Sequence, residues 1–211
     1  MKNKLLWFAL SISLTAQAAS FDAAAPVLKP QQEQSQAAHL SAAVLTRYHY
    51  KAMPLDDAMS EKIFDRYLKA LDSEKLIFVQ DDIGQLSSAR TRLDDAIIDK
   101  DLSLPFTIFN LYTKRVVERF AYARSILGEK INFQEKESYR FDREKETWPA
   151  SEQEMRELWR KRVKNDWLRL KLAGKDEKSI FETLDKRYEN SQRRVSRTKS
   201  DDAFQSFMNA Y

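Results

Sequence analysis

The chain has 211 residues, with 36 Lys plus Arg against 32 Asp plus Glu, 43% hydrophobic residues, three glycines, five prolines and no cysteine. The missing cysteine excludes a disulfide framework, a thiolate nucleophile and any Cys-ligated zinc or iron–sulfur site. Three scattered glycines (Gly84, Gly128, Gly174) cannot write a P-loop or a G-x-G-x-x-G turn, and low glycine beside 32% charged residues favours an all-α fold with solvated outer faces.

Lys2 and Lys4 precede an apolar run from Leu5 to Leu14 and then Ala16-Gln17-Ala18, the pattern of a secretory signal peptide over residues 1–18. A run of about ten residues is too short to cross a ~30 Å hydrocarbon core. Removing residues 1–18 takes away two lysines and no acid, so the net charge falls from +4 to +2. No later stretch is apolar for long enough to span a bilayer, which predicts a soluble protein beyond the inner membrane, in the periplasm of a Gram-negative source. Residues 19–40, rich in Ala, Gln and Ser with Pro26 and Pro30, read as an exposed linker.

From residue 41 to 211 apolar spacing predicts an irregular bundle of about seven amphipathic helices and no sheet. The first covers roughly Ser41 to Lys51. A second starts near Pro54 with Met59, Ile63, Phe64, Tyr67, Leu68 and Leu71 on one stripe. After the turn Asp72-Ser73-Glu74-Lys75, a third runs from Gln80 to Lys100 as one helix, with Asp94 and Asp95 at solvated positions. The fourth, Leu104 to Leu127, is the most apolar and is expected at the centre. Between Gly128 and Pro149 the periodicity lapses into a structured loop. Ser151 and Glu154 have capping-box spacing and open a helix that carries Met155, Trp159, Val163 and Trp167, which Gly174 ends. Asp176 to Ser196 follows, with Ile180, Leu184, Tyr188 and Val195 on one face. Ser200 is placed to cap a last helix whose stripe (Phe204, Phe207, Met208) still runs at Tyr211, which fits either a natural chain that continues or a plain C-terminal docking helix.

Residues able to carry chemistry are few. His39 and His49 lie ten apart, so they form no helical ligand pair, and no metal or cofactor site is expected. Ser196-Arg197-Thr198-Lys199 has the Ser-x-x-Lys spacing of some serine acylases, but neither S-D-N nor K-T-G accompanies it and chance accounts for it. No G-x-S-x-G elbow occurs, so no catalytic residue is assigned. Basic runs at Arg156–Lys164 and Arg187–Lys199 interleave with Glu152, Glu154, Glu157, Asp166, Asp185 and Glu189. That mixture weakens a phosphate-binding field and argues against nucleic acid as a partner.

Lys62-Ile63-Phe64-Asp65-Arg66-Tyr67-Leu68-Lys69-Ala70-Leu71-Asp72 resembles the N-terminal region of the tail-specific proteases, the C-terminal processing peptidases of the bacterial periplasm. Further blocks agree in order: Phe109-Asn110-Leu111-Tyr112 with Arg115, Glu118 and Arg119; Trp148-Pro149 with Leu158-Trp159; Leu170-Lys171-Leu172-Ala173-Gly174-Lys175; and Thr183-Leu184 with Arg187-Tyr188. The likeness covers about Leu40 to Tyr211. It implies a helical N-terminal domain that braces a PDZ domain and a Ser/Lys protease core. Those domains and their catalytic residues lie outside this sequence, so the chain is expected to be non-catalytic alone. Implied partners are protein substrates, the rest of the protease body and a helical-repeat lipoprotein adaptor. The rival reading is a free-standing periplasmic helical binding or adaptor module.

Overall fold

The computed structural model describes residues 25–51 and 53–211, and the signal-peptide expectation lies outside them. Among the described residues there are eight α-helices and no strand: α1 (Gln32–Tyr48), α2 (Asp57–Leu71), α3 (Gln80–Leu86), α4 (Leu93–Ile98), α5 (Ser103–Ser125), α6 (Glu152–Leu172), α7 (Glu177–Ser196) and α8 (Ser200–Met208). The all-α bundle is therefore as expected, with one helix more than seven.

Two buried clusters share α5 as their common wall. The first gathers Ile63, Phe64, Tyr67 and Leu68 of α2, Leu93 and Ile97 of α4, Phe106, Ile108 and Phe109 of α5, and Phe207 of α8. The second gathers Val116 and Ala123 of α5 with Met155, Trp159, Val163 and Trp167 of α6 and Ile180, Leu184, Tyr188 and Val195 of α7. The stripes read from the sequence on α2, α6 and α7 are the faces that become buried, because large apolar side chains at i, i+3 and i+4 leave no other face to bury.

The linker expectation for residues 19–40 is corrected over its last nine positions. Helix α1 begins at Gln32, and Gln34, Ser35, Ala38 and Ala42 are buried. Its inner face is made of small and amide side chains, and Gln34 Nε2 donates to Asp201 Oδ1 at 2.7 Å, so no apolar stripe announces it. Before α1 the chain is tied down as well: Leu28 N–H donates to Asn110 Oδ1 and Asn110 Nδ2 donates to the Leu28 carbonyl, both at 2.9 Å.

The expected single helix from Gln80 to Lys100 is divided. Ser87 Oγ donates back to the Gly84 carbonyl at 2.7 Å where a 3-10 turn (Ser87–Ala89) follows α3, and Arg92 leaves the helical region at φ −131°. The Leu93 amide is then capped by Ser60 Oγ of α2 at 2.8 Å, so a tertiary contact restarts the helix. This rotation turns Asp94 inward to 4% exposure, contrary to the solvated position expected for it.

The caps are partly as read. Ser151 Oγ accepts the Glu154 amide at 3.2 Å, but the Glu154 carboxylate accepts the Ala150 amide at 2.8 Å, one residue outside the expected box. Gly174 takes φ +82°, and the Gly174 and Lys175 amides reach the Lys171 and Leu170 carbonyls, a Schellman ending for α6. Ser200 is not the cap of α8. Its hydroxyl donates to the Lys29 carbonyl at 2.9 Å, and Asp202 accepts the Lys199 amide at 2.7 Å instead.

Candidate functional site: a buried polar junction

Between α2 and α3 the chain runs as a strap from Asp72 to Val79, threaded between the two clusters. Phe78 enters the first cluster, while Leu76, Ile77 and Val79 enter the second. An extended strap has no helix or sheet to satisfy its peptide groups, and burying them unpaired would cost about 1–3 kcal/mol each. Side chains take over that task. The Asp72 carboxylate accepts the amides of Leu76 (2.8 Å), Ile77 (3.2 Å) and Phe78 (3.1 Å), and also the Trp148 indole N–H at 3.0 Å. Lys75 makes the turn at φ +54° and lays its ammonium 4.1 Å from the centre of the Trp148 ring.

The strap's carbonyls are met from the opposite side. Trp159 Nε1 donates to the Leu76 carbonyl at 2.7 Å, and Arg119 Nε donates to the Ile77 carbonyl at 3.1 Å. Asp82, with a fully buried side chain, accepts the Val79 amide at 3.1 Å and receives Arg115 Nη2 at 2.7 Å. Arg115 continues to Glu118 at 2.7 Å, and Arg119 Nη2 donates to Glu152 Oε1 at 2.8 Å. The Asp82 carboxylate is the largest cause holding the Arg115 guanidinium above its ordinary range, and the Arg119 contact lowers the Glu152 carboxyl below its own. Pro149 O accepts the Gln80 amide at 2.9 Å and closes the junction over the loop.

Three of the blocks quoted above for their resemblance thus meet at one place: Asp72, Arg119, Trp148 and Trp159 act on the strap, and Arg115 reaches it through Asp82. Asp82 and Gln192 were missed. The first sits in a run of acids that reads as a helix start, and the second crosses to the Val117 carbonyl at 3.1 Å from 75 residues away. What the junction does chemically is fix backbone. Its carboxylates and guanidinium groups are engaged by amides, carbonyls and each other, and burial raises the phenols of Tyr67 and Tyr188 far above their usual range.

The sequence's other candidates stay apart. His39 Nδ1 lies 3.3 Å from the Ile97 carbonyl, whereas His49 is exposed at the end of α1. Ser196 Oγ donates to the Arg193 carbonyl at 3.0 Å, a helix-surface bond rather than a contact to Lys199. Among the described residues no cluster of His, Asp and Glu is arranged to hold a metal ion, and no helix is long and apolar enough to cross a membrane. The basic runs of α6 and α7 are interleaved with acids in space as in sequence. Lys164 pairs with Glu137 at 2.6 Å, Arg160 pairs with Glu157 and Glu137, and Arg193 pairs with Glu189. Arg162 and Arg156 lie over the rings of Trp159 and Tyr122.

A family model described as the tail-specific protease N-terminal domain matches residues 41–211. The tail-specific protease of Haemophilus influenzae is 39% identical across the whole of this chain, which spans 31% of that relative's length. The matched stretch includes α2 to α8 and every residue that engages the strap, so the chain belongs to the tail-specific protease family and comprises its N-terminal domain.

Proposed function

We propose that this helical domain is a non-catalytic brace and protein-docking platform of a periplasmic, serine-type tail-specific endopeptidase that trims or degrades proteins from the C-terminus. Residues 1–18 act as its export signal. In the full-length enzyme a lysine serves as general base to a serine nucleophile, and both belong to the protease body rather than to these helices. The observation that carries the reading is the junction at the strap. Five residues from three separated blocks lock two apolar clusters into one body, which suits a part that must hold geometry for its neighbours. Substrates, the remainder of the body and a helical-repeat lipoprotein adaptor are the partners this role requires.

The test is a cleavage assay with the purified chain and an unstructured protein bearing an apolar C-terminus. The reading expects intact substrate after prolonged incubation, and turnover at any rate above the buffer control overturns it.

A further inference from the structure

The surface of α1 combines exposed apolar side chains with a lack of acids. Between Glu33 and Asp56 there is no acidic residue, and Asp56 is itself engaged as the α2 cap, accepting the Met59 amide at 3.0 Å. Over the same stretch Leu40 is 63% exposed, Val44 55% and Tyr48 72%, three apolar side chains one turn apart on one line. A cleft flanks the helix on each side. The first, of about 340 Å³, has Leu45, Met59 and Tyr211, the last residue of this sequence, in its wall and is bordered by His49, Lys62 and Arg66; the second, of about 250 Å³, runs over Ala43, Leu55 and Ile97 beside Arg47. No Asp or Glu lines either cleft. The clefts at Trp148, at Arg119 and at Ile126 contrast with this, since each includes glutamates among its basic residues.

We propose that α1 and its two clefts form a docking site for an acidic amphipathic helix of a partner protein. Apolar side chains of that helix enter the clefts on either side of Val44, and its carboxylates face Lys62 and Arg66. These two cations stand four residues apart on α2, the spacing that carboxylates one turn apart on an incoming helix present in return. Apolar and basic character together would also suit an anionic bilayer, but a bilayer presents a broad surface, and here the apolar ground is recessed into two clefts that only a protruding side chain can fill. The inference rests on the docking role proposed above and gives that role its surface and its ligand chemistry.

The test uses the purified chain and a fluorescent 18-residue helical peptide with Leu on one face and Glu on the other, compared with the same peptide carrying Lys in place of Glu. The Glu peptide is expected to bind at least tenfold more tightly than the Lys peptide. The double variant Lys62→Glu, Arg66→Glu and the single variant Val44→Glu should each weaken it tenfold or more. Leu172→Glu, at an exposed apolar position on α6, should not. All four positions are exposed, and circular dichroism checks that helix content is kept. Equal or absent binding of the two peptides, or indifference to the α1 and α2 variants, overturns the proposal. So does stronger binding to phosphatidylglycerol vesicles, or self-association of the chain abolished by Val44→Glu. Peptide binding and proteolysis are read separately, so turnover in the cleavage assay would remove the non-catalytic reading while this result stood or fell by itself.

Discussion

The two clusters hold their outer helices by different means. Helices α6 and α7 press Trp159, Trp167 and Tyr188 into the second cluster, where Phe120 packs edge-on to Trp159 at 5.1 Å. Polar clamps add to this: Arg124 donates to Asp185 at 2.7 Å, and the Tyr188 hydroxyl donates to Asp166 at 2.8 Å. Helix α1 meets the first cluster with Ala38 and Ala42 and turns its larger apolar residues outward. Burial of a methyl group yields little beside burial of an indole, so α6 and α7 are held more tightly than α1, which leaves Leu40, Val44, Leu45 and Tyr48 exposed.

The sharpest way to break this contrast is Trp159→Ala, which removes a fully buried ring and the bond to the Leu76 carbonyl. It should cost about 3–5 kcal/mol in chemical unfolding. A loss below about 1 kcal/mol would show that the second cluster does not depend on its aromatic centre. Ala38→Leu overfills the tight α1 contact and should cost about 1–3 kcal/mol. Amide hydrogen exchange should then quicken along α1 ahead of α6 and α7. Equal quickening in all three helices would mean that α1 is no more loosely seated than the rest.

The smallest effect concerns Glu137, whose carboxyl is lowered to about 2, first by Arg160 and then by Lys164. Its folded pKa lies below the unfolded value of ~4.3, so the stabilisation is complete above that value and is lost as pH falls towards 2. Glu137 and Lys164 keep only 12% and 13% of their side-chain exposure beside a more open Arg160 at 35%, and Glu137→Gln should therefore lower stability by about 1 kcal/mol at pH 7. Thermal midpoints of the two proteins should converge by pH 2, and a gap unchanged between pH 7 and pH 2 would remove Glu137 from the acid response.

Helices α2, α5, α6 and α7 were legible because bulky apolar residues repeat at helical spacing, and the capping serine and the glycine at the ends of α6 are local signals. Helix α1 was legible only from residue 41, since alanine and glutamine can line a buried face without marking it. The break after Leu86 was hidden because the group that caps Leu93 is Ser60, 33 residues earlier. The junction was half visible. Its residues stood out as shared blocks, but nothing local reveals that Asp72 receives Trp148 from 76 residues away, or that Asp82 is buried with an arginine.

That long reach of Asp72 bears on how the molecule assembles. Three successive amides can gather on the carboxylate within one short stretch of chain, but the fourth donor arrives only after α5 and the following loop have come back across the strap. Closing so wide a ring is slow in entropic terms, and the same carboxylate borders both clusters. Neither half can reach its final form before the other, so the domain should melt in a single cooperative step although it has two hydrophobic centres.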